Sequence, residues 1–222
     1  MAIVWPCPLS VDRYAALGRE IEVPRPDCPH CGSTMTFWSG YWRHIRQGGL
    51  CQKLFLKRAR CHRCQATHVL LPGFVLSGRL DVVETIGTVL EEVIDGPGGV
   101  RPAAARFEVP HTTAREWLRR FSARANVLAV SFAALSVELG GEAVVPDAGA
   151  ACFALSALRA AFVAAEAMPG WAVVGLWAFA SSVSGGRLIA TNTNSPYLVV
   201  GKRRFMPPVP VFGTTEEERH GT

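Results

Sequence analysis

Aromatic and β-branched residues are set among polar ones along Thr34–Arg46, where Phe37, Trp38, Tyr41, Trp42 and Ile45 mark an extended run. Such a pattern predicts a half-exposed strand, with Gly40 as a bulge. Gly48-Gly49 predicts a turn, Lys53–Arg60 a returning strand and Thr67–Leu71 a short third one. Past Leu80 the period lengthens from two to 3.6. Val82, Val83, Ile86, Val89, Leu90, Val93 and Ile94 form one stripe and predict a helix over Asp81–Asp95. Asp81 and Glu84 read as its capping pair, and Gly96-Pro97-Gly98-Gly99 as its stop. A short helix is expected over Pro102–Phe107, then a break at Glu108-Val109-Pro110 and a further helix over His111–Phe121.

The remainder is apolar nearly all round. Ala123–Leu139, Ala150–Met168 and Trp171–Ser184 read as three packed helices, separated by Gly140-Gly141, Pro146 and Pro169-Gly170. Helices of this kind bury against one another or against a second subunit, so a homo-oligomer through them is one use. Arg159 and Glu166 interrupt one segment, and Trp171–Ala180 is too short for a bilayer core of about 30 Å, so no membrane role is expected. The chain thus divides into a lead-in (1–26) with an amphipathic piece at Val11–Leu17, a small β unit (27–75), a three-helix unit (80–124), an apolar helical region (125–200) and a tail (201–222). The tail is rich in proline before Glu216-Glu217-Glu218 and reads as flexible. The fold class is α+β.

Chemistry enters with the cysteines. Cys28-Pro-His-Cys31 and Cys61-His-Arg-Cys64 are two Cys-x-x-Cys pairs with 29 residues between them. Each pair can sit on a tight turn, and the interval holds two strands. Four thiolates at tetrahedral spacing suit one closed, structural Zn2+ rather than a catalytic ion with an open position. His30, His62 and His68 lie inside or beside these turns and could replace a thiolate, and Cys51 is a weaker candidate. Cys7 and Cys152 have no partner at ligand spacing. The small sheet has little core of its own, so the metal would supply much of its folding free energy, about 10–16 kcal/mol in apparent terms. Met1–Leu9 lacks a charged lead and is broken by Pro6 and Pro8, so a reducing cytoplasm fits the seven cysteines.

The charge is segregated. From Cys28 to Leu80 there is no Asp or Glu, while Arg43, Arg46, Lys53, Lys57, Arg58, Arg60, Arg63 and Arg79 are basic. A run of one sign on a small scaffold makes a positive field that attracts phosphates. The break at Glu108-Val109-Pro110 then fits a helix-turn-helix: Ala104 at the crossing, Val109 plugging the turn and Ala114 anchoring the second helix. Glu108 stands where the turn usually has Gly. Trp117, Leu118 and Phe121 would face the core. His111, Thr112, Arg115, Glu116 and Arg119 would face outward, with Arg101, Arg106, Arg120 and Arg124 on the flank.

Taken with Cys28–Ser33, Gly40–Arg43, Arg60–Cys64, Thr67–Pro72 and Val109–Phe121, the chain resembles the zinc-ribbon-plus-helix-turn-helix modules of bacterial insertion-sequence transposases and related mobile-element accessory proteins. The likeness covers roughly residues 27–124. It implies Cys28, Cys31, Cys61 and Cys64 as zinc ligands, and Thr112, Arg115 and Arg119 facing DNA. The hundred or so residues after Arg124 do not read as a strand-rich nuclease core. Glu138, Glu142, Asp147 and Glu166 do not fall at the ends of alternating strands, so a non-enzymatic protein is expected. The expectation is a zinc-containing, nucleoid-associated regulator or accessory factor. It would bind duplex DNA with His111, Thr112, Arg115, Glu116, Arg119 and Arg120, and with Arg43, Arg46, Lys57, Arg58 and Arg60 of the ribbon. The alternative is a scaffold that docks on a transposase or RNA polymerase through the ribbon and the apolar helices.

Overall fold

The computed structural model describes residues 2–145, 149–186 and 188–189. Asp147 and the 201–222 tail lie outside the described residues. Strand β1 (Ala2–Trp5) is followed by α1 (Val11–Leu17), which continues as a short 3-10 turn. Ser10 caps α1 by accepting from the Arg13 N–H, and Tyr14, fully buried, donates to the Phe55 carbonyl at 3.2 Å. The lead-in is therefore part of the core rather than an appendage.

Strands β2 (Thr36–Gln47) and β3 (Leu50–Arg60) form the long hairpin that the alternation announced, and β4 (Thr67–Pro72) pairs antiparallel with β3. β1 completes the sheet by pairing parallel with β4, Ala2 opposite Val69 and Trp5 opposite Pro72, giving the order β1-β4-β3-β2. This strand was not foreseen. Four residues ahead of two prolines carry too little alternation to declare one. The irregularity in β2 falls between Phe37 and Ser39, at Trp38, and not at Gly40. Gly40 stays in register opposite Lys57, and a side chain there would run into the Phe55 ring.

Helices α2 (Val83–Ile94), α3 (Val100–Arg106) and α4 (His111–Ser122) pack on one another. The expected Asp81–Glu84 capping pair does not form. Val82 is the N-cap and offers no side-chain oxygen, while Asp81 turns to Arg46 instead. α5 (Ala125–Glu138) and α6 (Ala150–Glu166) pack side by side. α7 (Leu176–Val183) is shorter than expected, because Trp171–Val174 forms turns and Gly175 begins the helix. An apolar-all-round run cannot by itself distinguish a buried turn from a buried helix.

Two contacts fasten the later helices to α2. Gly87 leaves room for the Trp177 indole of α7, where any Cβ would overlap the ring. Arg159 of α6 reaches Asp95 at 2.6 Å and Glu91 at 2.9 Å. A single apolar cluster runs from Ile45, Leu54 and Leu56 through Ile86, Leu90 and Trp117 to Phe132, Leu155 and Phe179. Among the described residues, no helix is long and apolar enough to cross a membrane.

Candidate functional site

The two Cys-x-x-Cys turns flank the hairpin. The first precedes β2 and is closed by the Gly32 N–H donating to the Cys28 carbonyl at 2.8 Å; the second lies between β3 and β4. Because Thr36 pairs with Arg60, the strand register carries both turns to the same end of the sheet. The sulfurs of Cys28, Cys31, Cys61 and Cys64 all lie within 4.8 Å of one another. Cys28 and Cys64 are 3.4 Å apart, as are Cys31 and Cys61. Zinc–sulfur bonds of 2.3 Å put tetrahedral sulfurs about 3.8 Å apart, so this cluster fits a four-thiolate ion.

The acidities agree with a shared ligand set. Hydrogen bonds from the Ser33 backbone and side chain hold the Cys31 thiol down to about 6. At Cys64 the Ala66 N–H favours the thiolate. Its hydrogen bond to Cys28, with burial and the other two sulfurs, outweighs this and pushes it up to about 12. Four adjacent sulfurs cannot all ionise without a cation, and metal loading would release the protons they keep. A bound zinc would supply cross-linking rather than chemistry, since all four positions are taken by protein.

The histidines are not ligands in this arrangement. His62 bonds Thr36 Oγ1 at 2.7 Å, and His68 is buried against the His30 ring at 5.7 Å between centroids. Cys51 is exposed at the start of β3. Cys7 is buried in the core, which pushes its thiol up to about 12.

The break between α3 and α4 has the packing that the sequence suggested. Ala104, Val109, Ala114, Trp117 and Phe121 are buried, and the Val109 N–H donates to the Ala104 carbonyl at 2.9 Å. Glu108 takes φ +53°, the left-handed conformation that Gly adopts at least cost. On the outer side Thr112, Arg115 and Arg119 are exposed, and His111 is half-buried. Glu116 is engaged by both neighbours on the helix: Arg119 at 2.7 Å and Arg120 at 2.6 Å. The Arg119 guanidinium holds the Glu116 carboxyl down to about 2.

The basic residues of the ribbon fall into two groups. Lys57 lies over the Phe37 ring at 5.1 Å, Arg60 over the Trp38 ring at 5.3 Å, and Arg58 is exposed. Arg46 and Arg43 turn inward instead. Arg46 makes a two-point ion pair with buried Asp81, at 2.6 and 3.0 Å, and the backbone pairs alongside it, Val82 N–H donating to the Arg46 carbonyl. Arg43 donates to the Leu76 and Arg79 carbonyls. These two therefore fasten the hairpin to the segment that starts α2. The hairpin tip also touches the helices, because the Glu108 carboxylate lies against Gly49. Arg79, counted in the acid-free run but not singled out, sits beside Arg120. Burial first and the Arg120 charge second push the Arg79 pKa below the usual guanidinium range. Only the folded chain brings these two together, since forty residues separate them in sequence.

These features define a mixed α+β protein with a four-cysteine cluster able to hold a metal ion, compatible with a nucleic-acid-binding or protein-interaction module. The family described as a domain of unknown function (DUF6431) matches residues 28–117. That span opens on the first cysteine of the cluster and closes on Trp117, in the buried side of α4, so it takes in the hairpin and most of α2–α4. No curated protein and no solved structure matches the chain.

Proposed function

We propose that this chain is a zinc-braced, non-catalytic DNA-binding protein, in which α4 enters the major groove of duplex DNA as the second helix of a helix-turn-helix. The observation that carries this reading is the joint between ribbon and helices. The Arg46–Asp81 pair and the Glu108 carboxylate near Gly49 tie the acid-free hairpin to the segment before α2 and to the turn before α4, whose outer residues are open. Thr112, Arg115 and Arg119 supply donors for base edges and phosphates, and His111 stands at the helix start. Arg120 and Arg79 extend the positive charge from the helix to the loop after the ribbon, and Lys57, Arg58 and Arg60 of the ribbon would add phosphate contacts. A regulator or accessory factor of a mobile element is the role that suits such a module, at the nucleoid.

Zinc-loaded protein should select a defined motif from random duplexes, and Arg115→Ala should weaken that binding by about 1–3 kcal/mol and relax the preference at one position. Unselective recovery by the wild type, identical to that of Arg115→Ala, would contradict a reader helix.

A second copy of the chain is the partner we assign to α5. Val127, Val130 and Val137 are exposed, and with half-buried Ala134 they repeat at the three-four spacing of a helix-pairing seam. Docking on a transposase or RNA polymerase is the competing role. Recovery of one stoichiometric protein after nuclease treatment, with no duplex selection, would favour it.

A further inference from the structure

Four large aromatic residues stand exposed within six positions of β2: Phe37, Trp38, Tyr41 and Trp42, with Trp38 57% accessible. A sheet-edge strand that shows so much apolar area to water is normally covered or charged. Here it is charged with one sign only, since no carboxylate occurs from Cys28 to Leu80. Strand register sorts these residues by face. Tyr41 and Arg43 share a face with Leu54, Leu56, Arg58 and Val69, because directly paired residues project to the same side, whereas Phe37 and Trp42, opposite Ala59 and Phe55, lie on the other face. The Arg60 guanidinium over the Trp38 ring adds both to that side. Next to Tyr41 the sheet and the Ser77–Leu80 loop enclose an open groove of about 470 Å³, lined by Tyr41, Arg43, His44, Leu71 and Arg79 among others and by no carboxylate.

We propose that this face, from Trp38 through Tyr41 into the groove at Arg79, binds single-stranded DNA, stacking unpaired bases on the rings and holding the phosphates with Arg58, Arg60 and Arg79. The groove has the size of a small-ligand pocket, room for one nucleotide and not for a duplex. Bases inside a duplex are already stacked and cannot reach the rings, whereas a single strand offers both π-faces and a continuous negative charge. An apolar protein partner would satisfy the rings and leave the arginines unmatched; the unpaired strand satisfies both. The rings and the groove belong to the sheet and the Ser77–Leu80 loop and not to α4, so stacking on them does not rest on α4 reading duplex DNA, although Arg58 and Arg60 would serve both duplex and single strand.

The test uses the zinc-loaded full chain, with fluorescence anisotropy of a labelled oligo(dT) of about 15 nucleotides and of a duplex of equal length. Trp38→Ala should weaken oligo(dT) binding roughly tenfold, and Trp38→Phe should keep most of it, because any aromatic plane can stack. Trp38→Phe, which keeps a ring under Arg60, should leave duplex affinity unchanged, and Arg115→Ala should be weaker on duplex and unchanged on oligo(dT). Quenching of tryptophan fluorescence by oligo(dT), lost in Trp38→Ala, would place the strand at that ring. Trp38 is exposed, so zinc content and melting temperature should match the wild type and exclude misfolding as the cause. Oligo(U) serves as the RNA arm, and binding at or below the oligo(dT) affinity is expected. The proposal is overturned if wild type does not bind oligo(dT), if Trp38→Ala binds it as wild type does, or if only oligo(U) is held. Loss of duplex binding alone would sink the α4 reading and leave this one standing.

Discussion

Single residues decide whether the positive charge of this chain faces water or the interior. Arg46 and Arg58 look alike in the acid-free run, yet one is tied to buried Asp81 and the other is exposed. Nothing local separates them, because Asp81 lies thirty-five positions after Arg46 and its role depends on the hairpin returning to that place. The four clustered cysteines, by contrast, were legible: Cys-x-x-Cys spacing fixes each pair on a turn, and two matched pairs need only one hairpin to meet. Removing Arg46 leaves a carboxylate buried without its counter-charge, so Arg46→Ala should cost about 3 kcal/mol, read as a lower denaturation midpoint, whereas Arg58→Ala should leave stability alone. Glu116 gives a sharper test of the proposed reader helix. Its carboxyl, held down to about 2 by Arg119 and Arg120, stays ionised at every working pH and cancels part of their charge. Glu116→Gln should therefore tighten duplex binding and steepen its salt dependence, measured by titration at several ionic strengths. Weaker binding by this variant would mean that Glu116 itself contacts a base.

At the scale of elements, periodicity located β2, β3, β4 and α2–α4 to within a few residues. It failed where a segment is short or apolar on every side. β1 is four residues long, and its pairing partner β4 is sixty-odd positions away; the turns at Trp171–Val174 are as apolar as the helix that follows. A glycine carries information that periodicity did not. Gly87, in the middle of α2, exists to admit Trp177, so Gly87→Ala should destabilise the chain by about 1–3 kcal/mol through overpacking, seen as a lower melting temperature. Unchanged stability would show that α7 does not dock there. The valine seam on α5 makes a separate prediction: if it pairs two copies, Val130→Asp should convert a dimer to a monomer in sedimentation equilibrium. β4 adds a pH dependence. His68 is buried, and burial lowers its pKa, so the unfolded chain takes up its proton near pH 6.5 while the native chain does not until lower pH. Stability should fall as pH drops below about 6.5, and His68→Leu with saturating zinc should reduce that slope. An identical slope in both proteins would assign the acid sensitivity elsewhere, with the cysteine cluster first in line.

For the molecule as a whole, the sequence separated a ribbon, a three-helix unit and an apolar region more cleanly than the packing does. Arg46–Asp81, Glu108 against Gly49, Arg159 with Asp95 and Glu91, and Trp177 over Gly87 stitch them together. None of these contacts is local, which is why composition shifts suggested looser joints. The proposed function makes metal and DNA binding coupled. A zinc at the four cysteines would fix the two turns that carry the hairpin; the hairpin is tied to the start of α2 through Arg46 and Asp81, and α2 packs on α4. The most direct measurement is the affinity of the chain for its selected duplex across a salt series, with zinc bound and after chelation. With about five phosphate contacts, the zinc-loaded protein should lose affinity with a log–log slope near −4.5, and the chelated protein should bind weakly at every salt concentration. Salt-insensitive binding, or equal binding with and without zinc, would contradict the account.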